Sequence, residues 1–457
     1  MSDRLRRPAL RVLAVLLLAL ASPPDDAGAD EASFEDRPAG ESVEDLDSGL
    51  SRAVEERARL HTLFPRLKRY MQRYPNFIAD TELVLNFRTY AFPLRTIDGV
   101  DANAWAAGGK FAFRSGWWRD SVQLGAGLYT SLPIVADDPQ ALTELLRPEE
   151  QGFAVFGEAF GRFRWRSTEL TLGRSELRLP YVNRNDSRMA PNSFQGLVAD
   201  GTARGVPWVN RVDWVAGWLG DVRLRNDDGF VSMSEGAGAE GSDEGMLMGG
   251  LQFRPAEHLS FGAYNYLVRD TFNTFYAAAD SLWKLSADAG LRFQAQYTGQ
   301  RSVGQELIGE LETWSAAARA AASYRGVTAW LALSTTADDA GIQSPYGSYP
   351  GYVSMMQSDF NRGGERAWST GLTWAPRWSN GWSFFVLYGQ GNGGFDPLSG
   401  EDQADEREID LTIDYEIDEG PWRGLWLRLR GSMLDQRHAA SRGYEARIIL
   451  NYVLPVL

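Results

Sequence analysis

Apolar and polar residues alternate with period two through most of this chain. In LWLRLRGSM, Leu425, Leu427 and Leu429 take every second position, with Arg428 and Arg430 between them. Successive side chains of a strand point to opposite faces, so this segment has a leucine face and an arginine face. EIDLTIDYEID repeats the pattern with acids: Ile409, Leu411, Ile413, Tyr415 and Ile417 alternate with Glu408, Asp410, Thr412, Asp414, Glu416 and Asp418. GRFRWRS sets Phe163 and Trp165 against Arg162, Arg164 and Arg166. TELVLNFRTYAF offers Leu83, Leu85 and Phe87 on one side and Glu82, Asn86 and Arg88 on the other, with Val84 out of phase. Such segments recur to the final ARIILNYVLPVL, and they predict strands throughout residues 77–457.

The connections have a rhythm of their own. Short turns near residues 115–118, 166–169, 324–327, 375–381 and 418–421 alternate with longer polar loops such as LPIVADDPQALTELLRPEEQ and GQGNGGFDPLSGEDQADE. Short and long connections belong to opposite ends of an up-and-down sheet. The strands between them number about 18, an even count, as in a bacterial outer-membrane barrel with both termini on the periplasmic side. The fold class expected is therefore all-β, a transmembrane antiparallel up-and-down barrel.

A soluble sandwich would alternate too, with its apolar face in a dry core. The arginines favour the barrel. A one-residue slip would carry Arg428 and Arg430 into lipid at about 2–4 kcal/mol each, so charge on one face fixes the register. Trp117, Trp118, Trp378, Trp382 and Trp422 lie near strand ends, where an interfacial aromatic girdle is expected.

Upstream the texture differs. Arg4, Arg6 and Arg7 precede VLAVLLLAL, and Ala27-Gly28-Ala29 offers a processing site, so residues 1–29 are expected to be a signal peptide of the general secretory type. Residues 30–76 form an acidic extension with helical spacing in LSRAVEERARLHTLFPRLKRYMQRY, divided at Pro65; it is expected to be a periplasmic tail rather than a lumen plug.

Composition then removes whole classes. A net charge of -14 argues against nucleic acid as a partner. The absence of cysteine removes thiolate metal sites. His61, His258 and His438 fall in no catalytic constellation, and no phosphate-cradling loop is visible, so neither an enzyme, a cofactor nor energy coupling is expected.

FIADTELVLNFRTYAF from Phe77, AWAAGGKFAFRSG from Ala104, NDSRMAPNSFQG from Asn185 and SPYGSYPGYVSMMQSDFNRGGERAW from Ser344 resemble the OprD-type family of substrate-specific outer-membrane porins. The resemblance covers nearly everything after Phe77. It implies an eighteen-stranded channel, monomeric or loosely trimeric, for small solutes bearing a carboxylate. It also implies a constriction made by folded-in loops and a basic track on the barrel wall. Arg428 and Arg430 fall where that track would run, and Arg88 and Arg447 take inward positions on the first and last strands, neighbours once the barrel closes. Tyr181, Asp186, Ser187 and Asp359 are the candidate constriction groups.

Guanidinium groups stay charged and grip carboxylates through two parallel hydrogen bonds. An ion pair is worth about 1 kcal/mol in water and about 4 at a protein surface, which gives roughly millimolar binding, weak enough for release. Pairing of the arginines with lumen acids competes with this role: a turn closing near Gly420 would set Asp410 opposite Arg428 or Arg430. Asp186 and Ser187 could equally form an Asx-type turn. The alternatives to a porin are a structural or adhesive barrel with a closed lumen and a barrel hydrolase using His258 or His438.

Overall fold

The computed structural model describes residues 62–457 except 377, 379–380, 397–400, 418 and 437–440. The expected signal peptide, most of the acidic extension, His61 and His438 lie outside the described residues.

Alternation becomes a closed wall. The first six strands are β1 Glu82–Arg95, β2 Asp101–Arg114, β3 Val122–Asp137, β4 Phe153–Trp165, β5 Thr168–Ser175 and β6 Ser193–Arg204. The next six are β7 Arg211–Arg223, β8 Met246–Ala256, β9 Leu259–Val268, β10 Phe272–Lys284, β11 Ala289–Ser302 and β12 Glu312–Tyr324. The last six are β13 Val327–Thr336, β14 Arg366–Trp374, β15 Trp382–Asn392, β16 Glu406–Glu416, β17 Leu425–Gln436 and β18 Arg442–Pro455. Each pairs antiparallel with its sequence neighbour, and β1 pairs with β18, from Val84 opposite Pro455 to Arg95 opposite Tyr444. Closure leaves no open edge, which the bilayer interior requires because unpaired backbone groups there have no water to bond.

Polarity is inverted relative to a soluble core. On β16, Ile409 is 44 % and Leu411 51 % exposed, whereas Glu408 is 1 % and Asp410 0 %. The apolar face meets lipid and the acids face inward, as they must if charge at the bilayer midplane costs about 2–4 kcal/mol. Trp118, Trp165, Trp378, Trp382 and Trp422 are exposed on or beside the short turns, forming the girdle at that rim. Val84, the misfit of the first strand, points inward and packs with Trp426 and Val453.

Pro65 heads a short helix, Pro65–Met71, with Phe64 outside it, since its missing N–H is not needed in a first turn. A second helix, Asn76–Ala79, precedes β1, and the Leu63 N–H bonds to Pro455 O at 2.8 Å, fastening this segment to the end of the last strand.

One expectation needs correction. The hairpin between β16 and β17 spans residues 417–424, with Gly420 and Gly424 at φ 79° and 87°. Its centre therefore falls one residue later than a turn centred on Gly420, which moves cross-strand partners by two. Asp414, not Asp410, faces Arg428, while Thr412 faces Arg430 and Asp410 faces Ser432.

The inverted wall makes a direct prediction. Leu411→Arg at the outward centre of β16 should lower stability in lipid vesicles by about 2–4 kcal/mol, read from urea unfolding. A change below about 0.5 kcal/mol would place Leu411 away from lipid.

Candidate translocation site

Two long loops fold into the barrel, and apolar side chains hold them there. From the loop between β5 and β6, Leu177, Leu179, Tyr181 and Val182 join Tyr346 and Tyr349 of the loop between β13 and β14 in one cluster against wall residues such as Phe194, Leu219, Tyr264 and Tyr276. Farther along the second loop, Tyr352, Val353, Met355 and Phe360 pack on Trp330, Ala332 and Leu387. Gly389 makes room: a Cβ there would come within 2.4 Å of Met355 Sδ. Backbone strain marks the same loops, with Tyr181 at φ 65° and Phe360 at φ 48°.

The loops also lock to one another. Asn183 Nδ2 donates to Ser348 O at 3.1 Å, and Asn183 Oδ1 accepts from the Ser348 N–H at 2.9 Å. Tyr346 Oη donates to Met233 O at 2.5 Å, adding the loop between β7 and β8. Burial pushes the Tyr346 hydroxyl well above its ordinary range, so it remains a donor.

Apolar packing on this side leaves the arc of β16, β17, β18 and β1 as the charged wall. Arg88, Arg428, Arg430 and Arg447 all point inward from it. Arg430 lies opposite Arg447, and Arg88 opposite Asn451. Arg428 grips Asp414 through Nε and Nη2 at 2.7 and 3.0 Å. Arg430 Nε donates to Thr412 Oγ1 at 3.1 Å. Arg447 pairs with Glu445 at 2.7 Å and reaches Met356 O at 3.4 Å. Arg88 donates to Asn451 Oδ1 at 2.7 Å and to Asp186 Oδ1 at 2.7 Å.

The other three predicted arginines stand elsewhere. Arg162 and Arg164 are half-buried near the short-turn end of β4. Arg162 lies 3.9 Å from Glu169, and Arg164 lies over Trp117 at 4.2 Å. Arg166 occupies the exposed turn at φ 54° over Trp165, outside the strand's inward row. Glu158 is engaged by Lys110 at 2.8 Å.

Among the loop candidates, Asp186 is gripped by Arg88 and by Arg184 at 2.5 Å. Burial would raise its carboxyl, but the two guanidinium groups outweigh that and hold it below its ordinary 3.8. The Asx-type bond falls on Asn183, whose Oδ1 accepts from the Asn185 N–H at 3.1 Å. Ser187 Oγ accepts from Arg225 at 2.6 Å. Tyr181 is buried against the wall, sharing a hydrogen bond with Thr298 at 2.7 Å, and so anchors its loop. Asp359 accepts from Ser354 Oγ at 2.5 Å.

Sequence reasoning missed several participants. Lys110, Glu176 and Arg184 form a linked set, with Lys110 to Glu176 at 2.7 Å and Arg184 to Glu176 at 3.3 Å, lining a recess behind the Asp186 loop. Burial would raise the Glu176 carboxyl, yet Lys110 and Arg184 drive it well below the usual range. The β16 acids have an unexpected task. Asp410 accepts the Met356 N–H at 3.1 Å, and Glu408 accepts those of Gln357 and Ser358, each at 2.8 Å. Three successive amides of the second loop thus dock on two wall carboxylates, which spares them burial without partners.

The arrangement is a charged groove between a rigid wall and two braced loops, with basic and acidic groups interleaved. Residues 75–456 match the description "outer membrane porin, OprD family". Porin-like protein GalP of Pseudomonas putida is 24 % identical over 416 residues, spanning 83 % of this chain and 93 % of GalP. Among solved structures, Pseudomonas aeruginosa OpdK, crystallised with vanillate, aligns at TM-score 0.72 and 22 % identity, covering 83 % of this chain and all of that one. Acinetobacter baumannii OccAB2 aligns at TM-score 0.73 and 19 % identity, covering 84 % of this chain and all of its own. These proteins are channels and not enzymes, which removes the hydrolase alternative, and the barrel resides in the Gram-negative outer membrane. The chain belongs to the OprD family of outer membrane porins.

Proposed function

We propose that this porin passes small hydrophilic solutes carrying a carboxylate, among them amino acids and small organic acids, by passive diffusion along the arginine arc. The observation that carries this reading is the convergence of Arg88, Arg428, Arg430 and Arg447 on adjoining strands of one wall, where Arg88 meets Asp186 of one loop and Arg447 reaches Met356 of the other. OpdK's crystallisation with vanillate, an aromatic carboxylate, supports the same solute class by kinship.

Pairing with wall acids suits the task. A guanidinium has five N–H donors in a planar fork, so a residue such as Arg428, which meets Asp414 through Nε and Nη2, can trade one carboxylate partner for another. A solute passed between such groups exchanges one carboxylate partner for another of similar strength. Each step then stays within a few kcal/mol, and no single site traps the solute. The acids on the same groove offer partners for an amine, which extends the range to zwitterions.

Planar-bilayer recording of the purified protein should show stepwise conductance with anion preference in a potassium chloride gradient. Replacing Arg428 and Arg430 together by glutamine should move the reversal potential toward the cation side. An unchanged potential would take both residues out of the conduction path.

Loop anchoring predicts a pH response. Because the Asp186 carboxyl is lowered in the folded chain, its pairing contributes at every pH above the ordinary 3.8 and is lost only as pH falls through the depressed value. Open-channel current should therefore stay quiet from pH 7 down to the ordinary carboxylate range and become noisy only below it. Asp186→Asn should be noisy already at pH 7. Noise that begins at about pH 6 in the unaltered protein would contradict the assignment.

A further inference from the structure

Outside the arginine arc, the loop between β3 and β4 carries a carboxylate whose position that loop does not need. Glu144 meets Arg225 in a close ion pair and Arg188 at 3.4 Å, and its side chain is 35 % exposed. Arg188 lies over Phe92 at 5.1 Å, and Arg447 over the same ring at 4.9 Å, which places this cluster at the long-loop end of the arc.

The loop is fixed by other means. Asp138 accepts the N–H groups of Leu142 at 2.7 Å and Thr143 at 2.8 Å, together with the Thr143 hydroxyl at 2.6 Å. Leu145 and Leu146 are buried among Tyr90, Phe92 and Met189, and Ser131 Oγ donates to Leu145 O at 2.7 Å. Glu144 itself sits at φ 52°, a backbone conformation unfavourable to a residue with a Cβ and here imposed by its surroundings.

The two arginines are likewise held without it. Arg188 Nε donates to Thr143 O at 2.7 Å and Nη1 to Ser187 O at 3.1 Å. Arg225 Nη1 donates to Asn185 Oδ1 at 2.9 Å and to Ser187 Oγ at 2.6 Å. Take away the Glu144 carboxylate, and a two-guanidinium seat for an anion remains in place.

We propose that Glu144 is a built-in counter-ion at the extracellular mouth, a carboxylate that the solute's own carboxylate displaces from Arg188 and Arg225 on its way to the arc. The step is a non-covalent exchange of one carboxylate for another, and it rests on the carboxylate reading above. Burial would raise the Glu144 carboxyl, but Arg225 outweighs it with Arg188 helping, so the seat stays occupied and half neutralised between solutes. Stray chloride is thereby held less tightly than a solute able to bridge both arginines.

The test is planar-bilayer recording with benzoate as the probe, on the unaltered porin, Glu144→Gln and Arg225→Gln. Glu144→Gln should raise anion selectivity and lower the half-blocking benzoate concentration about two- to five-fold, the range expected for removing one partly exposed competing ion pair. Arg225→Gln should shift both quantities the opposite way, and it keeps the test decisive if the first variant fails to insert. If the unaltered porin is anion-selective but neither variant changes selectivity or block, Glu144 is a brace and the proposal is overturned. An unaltered porin that is cation-selective and indifferent to benzoate would instead overturn the carboxylate reading itself.

Discussion

Charge has to stay on the inner side of this wall. Every strand of the arc pairs an apolar lipid face with polar or ionisable groups one residue away, so a slip of one position would place Arg428 and Arg430 in hydrocarbon at roughly 4–8 kcal/mol together. That penalty is comparable to the whole stability of an ordinary domain. It fixes the register, and the register decides which arginine meets which acid. From it follow the Asp414–Arg428 clasp, the alignment of Arg430 with Arg447, and the docking of Met356–Ser358 on Glu408 and Asp410.

The interior divides by chemistry. One side of the lumen is a hydrophobic core in its own right, built from loop tyrosines against β6 to β15. The other carries the arginine arc. Packing immobilises the loops, so the groups that meet a solute are presented by braced backbone. Weak individual contacts can then discriminate without a large ordering penalty at each passage.

Much of this was legible in the sequence. Period-two segments such as EIDLTIDYEID give both the strand and its inward face, and the alternation of short and long connections gives the barrel. Val84 broke the pattern because its inward neighbours Trp426 and Val453 are apolar, a fact that depends on closure between β1 and β18. Asp410 was set opposite Arg430 where Thr412 stands, two residues off, because a hairpin's centre depends on where its glycines turn, and residues 417–424 offer more than one such place.

Loops resisted reading for a different reason. Arg184, Arg188, Arg225 and Glu144 belong to no periodic pattern, and each meets its partner only after a chain segment has folded back into the lumen. The crowding of tyrosine and glycine in SPYGSYPGY was the available signal, since that composition suits tight turns carrying buried rings. The central claim, that arginines on one wall draw carboxylates through, is met most directly by swelling of proteoliposomes in iso-osmotic gluconate against glucitol, a neutral polyol of similar size. Faster swelling in gluconate is predicted, and equal or slower swelling would contradict the account.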